Sequence, residues 1–341
     1  QEVGLRRAHL LAIECLTTMG DVDALARFRE LANNRRAPIN VRLAAATGLG
    51  QLQKSGLEES AADLVKDTSP ATMVDRLVAA RMLASHQDDD VLPVLQQLAA
   101  DPIPAVQAVA LRQLLKIDAE HVVPLADSLI ASEDVQVRRC VAEALAEVAA
   151  GPSADHIPQL ATLLGDPNPS LREYVRESLM KLADNEALRD TIVTQSRATL
   201  DQDAWRGQEQ AIKLLTLLGD TSITDRLVVL LDNPRPEVHT TAAWGLCELR
   251  VPSTADAISN IFARKTRLAL DSSPLAPKTQ VQLAHLAQAL GRLAHQPADA
   301  TLRQYIPKET SLDPVARAAA LWALGYLHHD EPDEELMRLL A

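Results

Sequence analysis

Residues 137–145, VRRCVAEAL, decide the fold because their pattern recurs along the chain. Residues 41–49, VRLAAATGL, show the same order: an aliphatic residue, usually followed by Arg, then small residues three and four positions on, and finally Leu. With that Leu as an anchor, ten copies follow one another at intervals of 36, 34, 31, 31, 34, 35, 32, 44 and 34 residues. Such periods are typical of repeat solenoids. The anchors are Ile13, Leu49, Leu83, Leu114, Leu145, Leu179, Leu214, Leu246, Leu290 and Leu324.

Each copy spaces its apolar residues as one face of an amphipathic helix. A second amphipathic helix lies between successive anchors, as at residues 91–98. Neither helix buries its apolar face alone, so the pattern predicts helical hairpins that stack into a single domain over residues 1–341. Asp caps helix N-termini and Pro is tolerated in the first turn, so we expect an Asp-Pro or Asn-Pro pair to start several of these helices. The pairs are Asp101-Pro102, Asp166-Pro167, Asn233-Pro234 and Asp313-Pro314.

The pattern Asp-Pro-x-x-x-Val-Arg-x-x-Ala-Ala-x-x-Leu, matched best at residues 166–172 and 313–320, resembles HEAT repeats, particularly the bacterial subgroup named after phycobilisome lyases. The resemblance covers nearly the whole chain. It implies an all-α fold, a right-handed α-α superhelix of about ten helical hairpins, with the Val-Arg helices on the concave face. It also implies a structural ladder of Arg and turn Asp residues between adjacent repeats, weakened at Gln107, His239 and Leu283. The ladder residues are Arg6, Arg42, Arg76, Arg138, Arg172 and Arg317.

Composition and charge limit the function classes. Apolar residues make up 47% of the 341 residues but aromatic residues only 2%, so Leu, Ala, Val and Ile must form the core. The net charge of −12 disfavours nucleic acid as a partner, because phosphate binding depends on Lys and Arg. No apolar run is long enough to cross a bilayer. Three widely spaced cysteines, Cys15, Cys140 and Cys247, form no metal or disulfide motif and are expected in the core.

No catalytic or metal-binding motif is evident, since HExxH, Walker and GxGxxG motifs are absent from the sequence. His328 and His329 are adjacent and project about 100° apart on a helix, which suits a metal ion poorly. HEAT-like di-iron hydroxylases use His-Glu dipeptides, and the sequence has none. We therefore predict a non-catalytic protein–protein interaction scaffold without a cofactor. The alternative is a lyase-like or enzyme-associated module that acts on a chromophore- or cofactor-bearing protein.

The position two residues before each anchor is expected to face outward, because it lies between buried small residues and the buried Leu. Trp244 and Trp322 occupy it, and Tyr326 lies one helical turn beyond Trp322. Exposed Trp and Tyr often anchor partners. We therefore predict a partner-binding patch of these three residues, flanked by a loop insertion at about 271–277. The other members of the series are Leu11, Thr47, Arg81, Arg112, Glu143, Glu177, Ile212 and Gln288.

A second candidate surface is a basic strip of Arg81 and Arg112, with Arg139 nearby, that would hold an acidic peptide. An ordinary solvated charged face is the alternative for these arginines. Packing against a neighbouring repeat is the alternative for both tryptophans. A spacer without any ligand is a third functional hypothesis.

The sequence begins with Gln, and neither terminal helix has the polar face of a solenoid cap. We therefore expect a region of a longer, bacterial protein. A targeting segment removed from the chain leaves the compartment open, with the cytoplasm as the default expectation. Partner identity and oligomeric state also stay open.

Overall fold

Helices dominate the part of the chain that the computed structural model describes, residues 2–151, 154–271, 277–307, 312–329 and 334–338. This part contains twenty α-helices and no strand, so the predicted all-α class is confirmed. The helices are, in chain order, α1 (Glu2–Met19), α2 (Leu25–Asn33), α3 (Ile39–Leu52), α4 (Glu58–Val65), α5 (Met73–Leu83), α6 (Leu92–Ala99), α7 (Pro104–Ile117), α8 (Ala126–Leu129), α9 (Val135–Ala149), α10 (Ile157–Thr162), α11 (Pro169–Leu182), α12 (Glu186–Asp201), α13 (Trp205–Leu217), α14 (Thr224–Leu230), α15 (Pro236–Leu249), α16 (Ala255–Asp271), α17 (Pro277–Arg292), α18 (Asp299–Leu302), α19 (Pro314–Leu327) and α20 (Glu334–Met337).

The odd-numbered helices carry the repeated pattern. Every anchor lies on one of them, and none of the anchors is more than 5% exposed. Even-numbered helices pack against odd-numbered ones, as α14 does against α15 and α16 against α17. The predicted helical hairpins are therefore present. Because each anchor is a buried aliphatic side chain, its truncation to Ala would cost about 2–5 kcal/mol.

The chain divides into two compact units, Gln1–Gln159 (unit 1) and Leu160–Ala341 (unit 2). Within unit 1, the helices α1, α3, α5, α7 and α9 lie side by side in that order. Within unit 2, the helices α11, α13, α15, α17 and α19 do the same. The single domain over residues 1–341 stays a prediction.

Small residues let neighbouring odd-numbered helices approach closely. A Cβ atom on Gly291 of α17 would lie 2.7 Å from the Cα atom of Ala323 on α19. The rare aromatic residues fill the wider gaps: Phe262 and Tyr305 stack with their ring centroids 5.6 Å apart. Tyr305 is fully buried and its hydroxyl lies 2.8 Å from the hydroxyl of Thr266. Burial raises the pKa of Tyr305 to about 12, so its phenol stays neutral.

The predicted starts of three helices are wrong by two residues. The helix α7 begins at Pro104, the second proline of Asp101-Pro-Ile-Pro, and Asp101 Oδ1 accepts from the backbone N–H of Ile103 at 2.9 Å. Asp101 therefore closes a side-chain turn before the helix, and the second Pro, with its fixed φ, starts the helix. The same holds for α11 and α15, which begin at Pro169 and Pro236. Only α19 begins as predicted, with Asp313 as its N-cap.

Candidate partner-binding surface

The Arg of the repeat, seven residues before the anchor, binds the backbone of the turn that precedes its helix. Arg138 Nη1 donates to the carbonyl oxygen of Ser132 at 2.6 Å, and Arg172 Nη1 donates to that of Asp166 at 2.7 Å. Arg317 Nη2 likewise donates to a carbonyl oxygen at 2.7 Å. Carbonyls at helix ends lack helical partners, so each Arg satisfies an otherwise unpaired group.

Two of these arginines also reach a carboxylate of the next repeat. Arg42 Nη2 lies 2.6 Å from Asp75 Oδ1, and Arg76 Nε lies 2.5 Å from Asp101 Oδ2. The four side chains are at most 5% exposed. Two links of the predicted ladder are thus present in unit 1. The side chain of Arg6 lies outside the described part of the chain, and a ladder along all repeats stays a prediction.

The turn contact persists in two copies that lack Arg. His239 Nδ1 donates to the carbonyl oxygen of Asn233 at 3.0 Å, and Gln208 Nε2 donates to that of Gln202 at 2.7 Å. Both acceptors lie six residues back, as they do for Arg138. Burial lowers the pKa of His239, which favours the neutral ring.

Gln208 also corrects the register of its copy. It lies seven residues before Leu215, whereas the predicted anchor is Leu214. Both leucines are fully buried, so apolar spacing does not separate them. The outward position is therefore Lys213, which is partly exposed, and the predicted exposure of Ile212 is wrong because its side chain is fully buried.

The remaining members of the outward series are at least partly exposed. Trp322 is 39% exposed and Tyr326 is 55% exposed, whereas Trp244 is half-buried. The ring centroids of Trp322 and Tyr326 lie 4.2 Å apart, and the two ring planes make an angle of 39°. The exposed members are Leu11, Arg81, Arg112, Glu177 and Trp322; the half-buried ones are Thr47, Glu143, Trp244 and Gln288.

The two tryptophans line separate cavities on either side of α17. The first, the Trp244 cavity, has a volume of about 410 Å³ and is lined by Arg176, Lys213, Leu217, Trp244 and His285, together with two threonines. The second, the Trp322 cavity, has a volume of about 500 Å³. Its lining includes Ala284, Gln288, Val315, Ala318 and Trp322. The structure does not place Trp244 and Trp322 in one contiguous cluster, because α17 lies between them.

The charged side chains that line the Trp244 cavity are cations. Lys213 Nζ lies 2.7 Å from Glu209 Oε1, and Arg176 Nη2 lies 3.4 Å from Glu177 Oε1, so each cation has a carboxylate beside it. Burial lowers the pKa of His285, and the ring is therefore neutral near neutral pH. Uncharged Trp244 and Leu217 supply the apolar wall.

Two ion pairs hold α17 against α15. Lys278 Nζ lies 2.5 Å from Glu237 Oε1, and Arg292 Nη1 lies 2.8 Å from Glu248 Oε1. The hydrogen bond from Lys278 is the main cause that lowers the pKa of Glu237. These pairs fix the helix that the two cavities share.

The predicted basic strip lies in unit 1 and is interrupted. Arg81 and Arg112 are exposed, and Arg112 Nη2 donates to Gln136 Oε1 at 2.8 Å. Arg139 Nε pairs at 2.5 Å with Glu143, which occupies the repeat position of Arg81 and Arg112 in the next copy. Residues 272–276 of the predicted loop insertion at about 271–277 lie outside the described residues. Its two end residues are the last residue of α16 and the first residue of α17.

Trp205, the third tryptophan, is a candidate site residue that the sequence pattern does not predict. The guanidinium carbons of Arg206, Arg235 and Arg172 lie 4.7, 5.8 and 6.0 Å from the centroid of its ring. Trp205 is the first residue of α13 and does not occupy the outward position of the repeat. Periodicity therefore gave no signal for this cluster.

Two of the three thiols are placed poorly for chemistry. Cys140 and Cys247 are buried as expected, and burial raises the pKa of both, that of Cys247 to about 11. Cys15 is exposed, which corrects its predicted place in the core. Among the described residues, no group of three or more His, Cys, Asp or Glu side chains is placed to hold a metal ion. None of the described helices is long and apolar enough to span a membrane.

Comparison with known proteins supports the repeat assignment. The family model described as HEAT repeats matches residues 63–146 and 122–190. Residues 63–190 therefore match HEAT repeats, and the resemblance inferred from the sequence is confirmed for this part of the chain. The finer assignment to the subgroup named after phycobilisome lyases stays a prediction. No curated protein sequence matches the chain significantly.

Solved structures with the same fold include importin beta, at 13% identity and a TM-score of 0.60, with 97% of this chain and 52% of that chain covered. Kap121p bound to Pho4p gives 13% identity and a TM-score of 0.57, with 97% and 45% covered. A Kap95p structure concerned with its binding to RanGDP gives 16% identity and a TM-score of 0.55, with 93% and 46% covered. The chain thus has the fold of these HEAT-type superhelices and spans about half of their length.

Proposed function

We propose that the chain is a non-catalytic interaction scaffold that binds a protein segment across α15, α17 and α19. The observation that carries this proposal is the pair of cavities that flank α17, each lined by one tryptophan. Trp and Tyr in partly desolvated pockets are the side chains that most often supply interface binding energy. Kap121p, which shares the fold, is described as bound to Pho4p, so the fold provides protein-binding surfaces elsewhere.

The exposed apolar side chains of α19 favour a partner over a bare structural spacer. Val315 is 56% exposed and lies on the same face of α19 as Trp322 and Tyr326, two and three helical turns before them. Such a patch costs solvation free energy unless a partner covers it. The surface carries aromatic, aliphatic and paired cationic groups, which are suited to recognition.

The test is a quantitative pull-down with a Trp322→Ala, Tyr326→Ala variant. A matched control, Val229→Ala with Leu268→Ala, removes two side chains that are 64% and 52% exposed on α14 and α16. The recovered partner is identified by mass spectrometry, and its affinity for each purified protein is measured by calorimetry. We expect the aromatic variant to lose about 30-fold in affinity, or about 2 kcal/mol, and the control to bind like the wild type.

Circular dichroism confirms that both variants keep the helical content of the wild type. Equal affinity of the aromatic variant and the wild type contradicts the proposed surface. Failure of the wild type to capture any partner at saturating bait favours the spacer hypothesis.

A further inference from the structure

Three guanidinium groups surround one indole ring at an edge of unit 2. Arg206 is the nearest, 4.7 Å from the ring centroid of Trp205, followed by Arg235 at 5.8 Å and Arg172 at 6.0 Å. Arg172 is buried and already donates to two backbone carbonyls. Arg206 is half-buried and Arg235 is exposed, so both of their guanidinium groups are open to a ligand.

These three cations have no carboxylate partner. Across the described residues, no Asp or Glu oxygen lies within ion-pair distance of Arg172, Arg206 or Arg235, although most other arginines of unit 2 form such pairs. Three acidic side chains near the cluster in sequence pair with other cations. Glu173 lies 3.6 Å from Arg176, Asp201 lies 3.8 Å from Arg226, and Glu237 lies 2.5 Å from Lys278, although the charge of Arg235 also acts on Glu237. With the exposed Asp203 two residues from Trp205, neighbouring carboxylates offset only part of the positive charge around the ring.

The N-terminus of α13 adds to this positive charge. The helix begins at Trp205, and its N-cap residue Ala204 has no side-chain acceptor for a backbone N–H. An uncapped N-terminus presents free N–H groups and the positive end of the helix dipole. The start of α15 offers no such donors, because Pro236 lacks an N–H, the N–H of Glu237 bonds the carboxylate of the same residue, and that of Val238 donates to the carbonyl oxygen of Arg235.

We propose that Trp205, Arg206 and Arg235, together with the start of α13, bind the carboxylates of a Glu-rich peptide segment. The planar guanidinium groups match a carboxylate through paired N–H donors, and the start of α13 supplies further N–H groups. The flat face of Trp205 packs against the methylene groups of the same glutamates. This site is separate from the two cavities of α17, so it adds a second contact to the proposed scaffold.

The experiment uses a fluorescein-labelled hexaglutamate peptide and fluorescence anisotropy. The whole chain carries a net charge of −12, so non-specific binding of a polyanion is disfavoured and any binding reports a local site. An Arg206→Gln, Arg235→Gln variant is compared with an Arg264→Gln, Arg267→Gln variant, which removes the same charge from α16. We expect the first variant to bind at least about tenfold more weakly than the wild type and the second to bind within about twofold of it.

A second measurement follows Trp205 directly. In a Trp244→Phe, Trp322→Phe background, Trp205 is the remaining tryptophan of three, and hexaglutamate is expected to change its emission while hexalysine leaves it unchanged. Equal binding by the two Arg variants overturns the proposal, as does a wild-type protein that does not bind hexaglutamate at low ionic strength. Both Arg variants keep the partner surface on α17 and α19 intact. A failure to bind hexaglutamate therefore does not affect the result of the pull-down.

Discussion

Removal of one partner of the buried pair of Arg76 and Asp101 should strongly destabilise unit 1. Arg76 Nε lies 2.5 Å from Asp101 Oδ2, and Arg76 Nη1 donates to the carbonyl oxygen of Ser69 and the hydroxyl of Thr72, both at 2.8 Å. The side chains of Arg76 and Asp101 are 1% and 2% exposed. An Arg76→Met substitution keeps most of the side-chain volume but leaves a buried carboxylate and a backbone carbonyl without their donor. Breaking a buried pair in this way costs about 3–5 kcal/mol.

The matched control is Arg317→Met, at the same repeat position on α19. Arg317 is half-buried and its Nη2 donates to one backbone carbonyl, so we expect a loss of about 1–2 kcal/mol. Urea unfolding followed by circular dichroism gives the free energies. Repeat arrays unfold in parts as well as at once, so hydrogen exchange of α5 and α7 localises the loss. If Arg76→Met destabilises no more than Arg317→Met, the buried ion pair is not what joins these repeats.

Three further changes test packing, charge and thiol chemistry. A methyl group at Gly50 would overlap a backbone carbonyl of α5, whereas one at Gly325 meets nothing within 4 Å. In thermal unfolding, Gly50→Ala is therefore expected to destabilise by about 2 kcal/mol or more, and Gly325→Ala to stabilise by up to about 1 kcal/mol through helix propensity. Burial by itself would raise the pKa of Asp220, but two 2.7 Å hydrogen bonds from Arg197 help to lower it. The ion pair therefore contributes its full stability above about pH 4, the pKa of Asp in the unfolded chain. This stability is lost as the pH falls through the lower pKa of the folded state. Because Arg197 is largely exposed, Arg197→Gln should cost about 1 kcal/mol in urea at pH 7 and almost nothing near pH 2; an equal cost at both contradicts this. Burial raises the pKa of Cys247 to about 11, so iodoacetamide at pH 8 should modify it far more slowly than the exposed cysteine, as mass spectrometry can show.

The sequence predicted the hairpins well because a buried Leu at a fixed period leaves a strong signal. It misplaced three helix starts because Asp101-Pro102 and its counterparts have the composition of an N-cap and first turn, whereas the second Pro two residues later starts the helix. The register of α13 was ambiguous for a physical reason: Leu214 and Leu215 both point into the core. A hydrogen bond from Gln208 to the preceding turn resolves it, and such a bond is not visible in apolar spacing.

The candidate surfaces were only partly predictable. Trp244, Trp322 and Tyr326 share one helical face of the repeat, so periodicity selected them, but it does not show that α17 divides them between two cavities. The cluster around Trp205 was missed because its four members come from three repeats and each occupies a different repeat position. Side chains that meet only through stacking leave no periodic pattern in a single copy.

The position of α17 between the two tryptophans sets a length scale for any ligand that uses both. Packed helices lie about 8–10 Å apart, so Trp244 on α15 and Trp322 on α19 are separated by two such steps, about 16–20 Å. A polyproline-type segment advances about 3.1 Å per residue and returns to the same side every third residue. A segment that fills both cavities therefore presents its two anchoring side chains about six residues apart. The spacing between helices therefore selects ligands by the distance between their two anchoring side chains.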